Sequence, residues 1–572
     1  MIQLSKVYEK SVSSKYKRYF EQTSKFRKSF RRYSLDSHRI VSTHSGGFHP
    51  WETGEAGVPI GWLQAKNEII VDHTDSHTLV IGPTGSKKSR LVAMPLIRIL
   101  GGSKESMIVS DPKAELYNRT SGYLAQQGYE ISVLNLRSPA YGNCWNPLAI
   151  PYSFFCNREI DRAYEFVNDI AENLIQTGKS NSEPFWDDSA GSLFFGLTVL
   201  LFKYCSDNNV DSKHVHIGNV VKLRDELFSK SKGGKDSWLW RYAKTDHIIS
   251  SALIGTVETA DVTREGILSG FDQKVRGFSI QPSLLDMLSA SDITLDAIGQ
   301  KPTAIFLLLP DEKTGYHGLV SLFVKQSYEY IIFKAQQESD DDGLHVGKLE
   351  NRVNYVLDEF SSLPTVNDFP AMITASRSRN IRFTLIIQSK HQLLQRYKEE
   401  TETIQTNCGN WLFLTSRELR LLEEISSLCG KTSEDNPKPV LSVAALQRLD
   451  KDAGEVLLLS GRSLPYITHL PDIKIYDNDC FSSCPILPRG ARVLPLLDFK
   501  PALIADKVQD DNSKLRKKVD VEALLKKLDK KMEQFEEEEG QTKKEFAGES
   551  GGAQGSHVYD EVEGDRGGKD DI

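Results

Sequence analysis

The chain has 572 residues, 39% of them hydrophobic and 26% charged, with a formal net charge of -7. That is an ordinary globular balance with room for several domains and a large core. No run reaches the roughly 18 apolar residues of a membrane span, and no apolar stretch follows the basic N-terminus, so neither a transmembrane segment nor a secretory signal is read. Seven cysteines are scattered without ligand-like pairs. Cys480 and Cys484 are close, but no His or second pair accompanies them, which speaks against zinc and for a reducing compartment.

In chain order, residues 1–50 come first. They are basic (Lys15, Lys17, Arg18, Lys25, Arg27, Lys28, Arg31, Arg32) and interleaved with aromatics. Two readings stand: an amphipathic helix lying on its own protein, or a contact with nucleic acid or an anionic membrane surface. Thr78 to Ile81 is a short apolar strand. It runs into Gly82-Pro83-Thr84-Gly85-Ser86-Lys87-Lys88-Ser89, a phosphate-binding loop of the G-x-x-x-x-G-K-[ST] kind in which Lys87 replaces the second glycine. A helix carrying a Pro95 kink is predicted next. Strand, glycine-bearing loop and helix is the order that aims backbone N–H groups and a helix N-terminus at an anion.

Alternation continues with a strand at Met107 to Ser110, a helix at Lys113 to Gln127 and a strand at Ile131 to Leu136. From 152 to 298 helical periodicity dominates, as in Ile160 to Ile175 and Ser189 to Tyr204. Its most apolar stretch, Leu193 to Phe202, reads as a buried helix. The α/β pattern resumes with strands at Thr303 to Leu309, Val353 to Leu357, Phe383 to Ile387 and Glu455 to Leu459, and a helix at Leu319 to Lys334. The predicted fold class is therefore α/β with a parallel, doubly wound sheet interrupted by an all-helical insertion. The predicted domains are a basic segment 1–50, a nucleotide-binding domain 51–151 plus 299–494, an all-helical domain 152–298, and a charged helix with a disordered acidic tail 495–572.

The second nucleotide signal is the apolar strand ending in Asp358-Glu359. Asp358 is placed to hold Mg²⁺ beside the Ser89 hydroxyl, and Glu359 to polarise the attacking water. Gln388, at the end of the next predicted strand, faces the crevice where open α/β sheets bind ligands and is a γ-phosphate sensor candidate. Arg377 and Arg379 lie between these motifs, and Arg379 is the candidate to act across a subunit boundary on the neighbour's phosphates.

These features resemble the TraG-type coupling proteins of conjugation and type IV secretion. Asp111-Pro112-Lys113-Ala114-Glu115-Leu116 is similar to the family's D-P-K-G-E-L stretch, with Ala114 for Gly. Asn135 to Pro139 followed by Trp145-Asn146-Pro147-Leu148 resembles its W-N-P-L block. Phe185-Trp186 with Ala190, Leu308-Leu309-Pro310-Asp311, Asp358-Glu359-Phe360 and Arg377-Ser378-Arg379 follow in the expected order. The likeness spans residues 60 to 475. It implies a RecA-like P-loop NTPase carrying an all-helical domain, with ATP and Mg²⁺ bound between subunits of a homo-oligomer, a ring of six. It also implies partners: a relaxase and its DNA strand, or protein cargo, and secretion-channel subunits. The acidic tail fits cargo docking.

Two departures matter. Family members begin with a membrane anchor of two helices, and none is read here. Either a separate membrane anchor protein serves, or the basic N-terminus touches the membrane at its cytoplasmic face, or the protein works in the cytosol. Lys87 is the other departure, since glycine there lets the backbone approach the phosphates. The leading function is an ATP-driven coupling motor for DNA transfer. The alternatives are a nucleotide-binding docking scaffold with little hydrolysis, favoured by Lys87, and an FtsK-like translocase, disfavoured by the helical insertion.

Overall fold

The computed structural model describes residues 31–35, 39–41, 56–175, 184–228, 234–293, 295–310, 312, 314–337, 347–431, 437–461, 464–476, 483–490 and 492–499. Most of the basic segment, the charged helix expected at Val519 to Phe535, the acidic tail and Cys480 lie outside them.

The chain enters through a four-stranded antiparallel sheet in the order β2-β1-β4-β3, from β1 (Arg31–Ser34), β2 (Arg39–Val41), β3 (Val58–Leu63) and β4 (Glu68–Asp72). Where a basic amphipathic helix was one reading, Arg31–Ser34 is a strand, with Tyr33 opposite Ile69. Tyr33 is fully buried, and its ring lies 6.4 Å from that of Tyr476. The alternation of a buried aromatic between partly exposed neighbours suits a pleated strand. β3 escaped the sequence pattern because Pro59 and Gly61 interrupt it; the register shifts between them, as a bulge allows.

The main sheet has nine strands: β5 (Thr78–Ile81), β6 (Ser106–Asp111), β7 (Glu130–Asn135), β8 (Thr303–Leu308), β9 (Val353–Leu357), β10 (Ile381–Ile387), β11 (Asn410–Phe413), β12 (Glu455–Ser460) and β13 (Tyr466–His469). Their order is β13-β12-β11-β5-β10-β9-β6-β8-β7. All neighbours from β11 to β7 are parallel, and β12 and β13 extend the sheet antiparallel. Helices cover both faces. Met94–Gly102 and Glu115–Gln126 pack on Val80, Val109 and Val356. On the other face Tyr328 and Phe369 reach the Phe383 ring, at 6.1 and 5.2 Å. Strands buried on both faces read as unbroken apolar runs, which is why most of this sheet was visible in the sequence.

Residues 149–287 form the helical insertion, and among its described residues no strand occurs. Its central helix, Pro184–Asp207, is apolar on all sides over its middle, residues 193–202, with charges confined to its ends. By length and composition it could cross a membrane, yet 72% of its apolar window is buried inside the fold. Neighbouring helices His247–Val257 and Asp261–Ser279 pack on it.

The Trp145–Leu148 block is the joint between domains. Trp145 Nε1 donates to Gln326 Oε1 at 3.2 Å, and its ring meets Phe323 edge-on. Asn146 Nδ2 donates to the Val215 carbonyl at 2.6 Å, and Gln326 Nε2 to that of Pro147 at 2.9 Å. Residues 483–490 and 492–499 contact both domains as a strap. The Cys484 carbonyl accepts from Tyr117 Oη at 3.0 Å, Arg489 and Arg492 pair with Asp286, and Leu497 N donates to Asn219 at 2.9 Å. The packed chain thus continues past residue 494 to Phe499, which is buried.

At the N-terminal ends of the strands sits a buried polar network. Arg382 Nη2 contacts Glu105 Oε2 at 3.1 Å and Asn354 Oδ1 at 2.7 Å, and Nη1 donates to the Ala56 and Thr74 carbonyls at 3.1 Å. Glu105 also accepts from Ala56 N and Asn354 Nδ2. His77 is held beside it: its Nε2 faces the Ile373 carbonyl at 2.9 Å, and its Nδ1 accepts from Phe383 N at 3.0 Å.

Candidate nucleotide site

Three neighbouring parallel strands deliver the site. β10 lies between β5 and β9, with Ile387 opposite Ile81 and Leu385 opposite Leu357. The residues that follow these strands therefore emerge at one edge: Gly82 to Ser89 after β5, Gln388 after β10, Asp358 and Glu359 after β9. Side chains then link them. Thr84 Oγ1 donates to Gln388 Oε1 at 3.1 Å, and Gln388 Nε2 donates to Glu359 Oε2 at 2.8 Å. The phosphate loop is thus wired to the carboxylate through Gln388.

Within the loop, Gly82 is closed in: a Cβ there would fall 2.5 Å from Ser86 Oγ. Gly85 has a positive φ of 80° with open space around it. Pro83 and Thr84 form the outer arm, and Ser86 N donates back to the Pro83 carbonyl at 3.1 Å. Ser86 Oγ is buried and has no hydrogen-bond partner among the described residues. Lys88 is buried, with its ammonium folded onto the Gly82 and Pro83 carbonyls. Burial pulls its pKa down, while Glu359 and Asp358 hold it up.

Lys87 takes the left-handed conformation that glycine would supply, with φ 67°. Its side chain turns out of the cradle, and Nζ meets Asp452 Oδ1 at 2.6 Å in the turn before β12. The family's other glycine position behaves alike: Ala114 has φ 57° and precedes the helix Glu115–Gln126. Glu359 is left-handed too, at 53°. The replacements kept the backbone shape and accept its strain.

Ser89 opens a single wide turn, Ser89–Ala93, of π geometry, and the regular helix starts at Met94. Pro95 thus sits in the first turn of the regular helix, where a missing N–H is tolerated, rather than at a kink within it.

Asp358 is buried at the edge, and burial together with Glu359 pushes its pKa up to about 7. Asp111, the first residue of the Asp-Pro-Lys-Ala-Glu-Leu stretch, ends β6 beside β9 and is also buried; burial lifts it to about 6. One of its oxygens accepts from Tyr117 N at 2.8 Å. Asp111 belongs in the site by position but was read only as a family signature. Its signal was available: an apolar strand ending in Asp, paired next to the strand that ends in Asp358.

These residues fit a magnesium–nucleotide. Buried acids at Asp358 and Asp111 are unfavourable in the absence of a cation, and the unpartnered Ser86 hydroxyl faces a loop built for anions. Mg²⁺ needs few protein oxygens when phosphates supply the rest, so Ser89 and Asp358 suffice.

Arg379 is not brought to this cluster. It precedes β10, so it lies about 20 Å along the strand from Gln388, donating to the Gly347 carbonyl at 3.3 Å. Arg377 pairs with Asp75 at the same end.

A nucleotide-type P-loop core with an inserted helical domain is the class this fold and site define. The family model described as type IV secretory system conjugative DNA transfer matches residues 12–436, and the chain belongs to that family. Among solved structures, the plasmid coupling protein TrwB in complex with ADP and Mg²⁺ superposes with a TM-score of 0.53 at 15% identity, covering 79% of this chain and 94% of that one. TrwB with a non-hydrolysable GTP analogue gives 0.52 at 16% identity, covering 78% and 94%. TrwB with the ATP analogue ADPNP gives 0.52 at 14%, covering 73% and 89%. These likenesses establish a shared fold: a RecA-like domain plus a helical domain. No curated protein matches the chain.

Proposed function

We propose that this chain is an ATP-hydrolysing coupling motor that hands a relaxase-bound DNA strand, or protein cargo, to a type IV secretion channel. The observation that carries this reading is the chain Thr84–Gln388–Glu359, which joins the phosphate loop to a carboxylate placed to act on water. Gly82 to Ser89 bind the phosphates, with Lys88 leaving its loop carbonyls for the β- and γ-oxygens. Ser89 and Asp358 would hold Mg²⁺, which supplies charge neutralisation at the phosphates when bound. Glu359 orients water, and Gln388 reports the γ-phosphate to it. Arg379, at the far end of its own sheet, serves a neighbouring subunit's site in a ring of six. Work at the cytoplasmic face of a membrane, through a separate anchor protein or the basic N-terminus, goes with that role.

The test is steady-state ATPase with and without single-stranded DNA, together with Glu359→Gln. The variant should keep ATP affinity and lose turnover by roughly 10³-fold. A folded variant that also loses binding would remove Glu359 from this role. A second reading, a docking scaffold with slow hydrolysis, is favoured by the left-handed Lys87 and its tie to Asp452. Wild-type turnover that DNA and oligomerisation fail to raise supports it.

A further inference from the structure

Away from the nucleotide site, a cleft of about 440 Å³ lies between the helical insertion and the nucleotide-binding domain. Helix Ile160–Leu174 of the insertion forms one wall, and helix His317–Gln337 with the start of helix Phe369–Ser376 forms the other. The walls meet at an aromatic seam, where the Phe154 ring lies 5.4 Å from that of Phe166 and 4.9 Å from that of Phe333. Across the cleft the Lys325 ammonium faces three carboxylates. Lys325 is buried, and its Nζ donates to Asp169 Oδ1 of the insertion at 2.7 Å and to Asp368 Oδ2 at 2.8 Å, with Glu329 Oε1 at 3.7 Å. Burial and Asp169 push the Glu329 pKa up to about 8, so Glu329 holds a proton at neutral pH.

We propose that this cluster is a releasable latch: Asp368 holds the insertion to the nucleotide-binding domain through Lys325 and Asp169, and a γ-phosphate engaged by Glu359 and Gln388 releases it. The proposal rests on the phosphate-loop reading and adds what that site does to the rest of the molecule. Asp368 ends the segment that starts at Glu359. That segment is laced to helix Lys390–Tyr397, which follows Gln388. Ser361 Oγ donates to Gln392 Oε1 at 3.1 Å, Val366 N donates to Tyr397 Oη at 3.1 Å, and the Phe360 and Tyr397 rings stack at 5.6 Å. Glu359 and Gln388, already joined by a hydrogen bond, thus lead into one braced unit. Its far end is fixed to the insertion twice, by Asp368 on Lys325 and by Asn367 Nδ2 donating to Glu172 Oε2 at 2.9 Å.

Asp368 also has a second place to go. It is the N-cap residue of helix Phe369–Ser376, where an aspartate ordinarily accepts a backbone N–H of its own helix from an extended backbone. Among the described residues it makes no such bond; its φ is 59°, and its carboxylate reaches Lys325 instead. Released from Lys325 and turned to the extended conformation, it caps that helix, while Lys325 keeps Asp169 as its partner. Both states satisfy the groups involved, so a ligand's differential affinity is enough to shift the balance. The Asp368 side chain is 70% exposed, which keeps the latch weak.

The experiment is hydrogen exchange read by mass spectrometry on the full-length protein, free, with Mg²⁺ and ADP, and with Mg²⁺ and ADPNP. It is joined to titration of both nucleotides, for the wild type, Asp368→Ala and Asp169→Asn. In the wild type, ADPNP should raise exchange in helix Ile160–Leu174 by about fivefold, and ADP should leave it unchanged. In Asp368→Ala the helix should exchange at the raised rate in all three conditions. That variant should bind ADPNP about fivefold more tightly than the wild type, because no latch has to open, with ADP affinity changed by less than about twofold. Asp169→Asn should shift both readouts the same way. Wild-type exchange that is the same with and without bound ADPNP overturns the latch and leaves the phosphate loop standing; so does protection gained on binding ADPNP. Raised exchange in Asp368→Ala with both affinities unchanged makes the cluster a structural tie and overturns the coupling. If the wild type binds neither nucleotide, the phosphate-loop reading falls first and takes the latch with it. The wild-type comparison and Asp169→Asn decide the matter even where Asp368→Ala does not fold.

Discussion

The two ends of the main sheet handle buried charge in opposite ways. At the N-terminal ends of the strands, Arg382 is surrounded by Glu105, Asn354 and the Ala56 and Thr74 carbonyls, and Glu105 also accepts an amide N–H. Every partner is supplied by the chain itself. At the C-terminal ends, Asp358 and Asp111 are buried side by side, the Ser86 hydroxyl has no partner among the described residues, and Lys88 rests on carbonyls of its own loop. Positive φ in non-glycine residues occurs at both ends, at Lys87, Ala114 and Glu359 here and at Lys104 and Asn380 at the other. The difference lies in the buried acids, and such groups mark places where something other than stability has set the residues. One end is finished by folding; at the other, the buried acids fit the magnesium–nucleotide of the proposed function.

The contrast breaks most sharply with one substitution at each end. Lys88→Ala should remove nucleotide-dependent turnover by at least about 10⁴-fold, some 5 kcal/mol of barrier, while the melting temperature stays within about 2 °C. Glu105→Ala should do the reverse. It strips the carboxylate from a buried guanidinium and leaves the Ala56 amide unpaired, so unfolding should become easier by about 3–5 kcal/mol. The folded fraction should bind nucleotide as the wild type does. Denaturant unfolding alongside nucleotide titration separates the two; a Lys88→Ala protein that melts early, or a Glu105→Ala protein that loses only affinity, would erase the division.

The finished end also has a pH signature. Burial lowers the His77 pKa from its ordinary 6.5 to about 4, and its ring is committed as a neutral donor and acceptor between Ile373 and Phe383. Arg377 and Arg382 add to that shift, and Asp75 opposes it. Between pH 6.5 and 4 the unfolded chain takes up a proton that the folded one refuses. Stability is therefore full above the unfolded pKa and falls as pH drops through this window, by up to about 3 kcal/mol for this group. His77→Gln keeps a donor and an acceptor and should flatten the slope of unfolding free energy against pH. A slope identical to that of the wild type would remove His77 as its source.

The division between ends also explains what could be read from sequence. Strands such as Thr303–Leu308 and Val353–Leu357 were legible because both faces are buried and the run is continuously apolar. The loop from Gly82 to Ser89, Asp358, Glu359 and Gln388 was legible because each follows such a strand and carries a side chain with defined chemistry. Arg382 was not, since an arginine inside a strand reads as surface until Glu105 and Asn354 are seen beside it. β11 was missed because four residues with an asparagine at the start carry little periodicity. Nor could the sequence place Lys87. Its departure from glycine was plain, but the left-handed backbone and the Asp452 partner belong to the fold, from a turn 365 positions away.

The smallest effects separate backbone strain from side-chain tethering at the unfinished end. A left-handed residue other than glycine costs about 1–2 kcal/mol, and glycine gives back about 0.4–1 through the unfolded chain. Ala114→Gly changes nothing else, so it should stabilise by about 0.5–1 kcal/mol and leave turnover alone. Lys87→Gly relieves the same strain but also removes the Asp452 pair. That pair is solvent-exposed on the Asp452 side and is worth at most about 1 kcal/mol. The net stability change should therefore be close to zero. Turnover should rise more than ATP affinity changes, because the loop regains freedom to close on the γ-phosphate and bring it to Glu359. Asp452→Ala decides which feature restrains the loop. It cuts the tether and keeps the strained backbone. If Asp452→Ala raises turnover as much as Lys87→Gly, the restraint is the ion pair. If it leaves turnover unchanged while Lys87→Gly raises it, the restraint is the backbone and bulk at position 87. If neither raises turnover, the left-handed lysine is an accommodated part of a working loop, and slow hydrolysis has no basis at this residue.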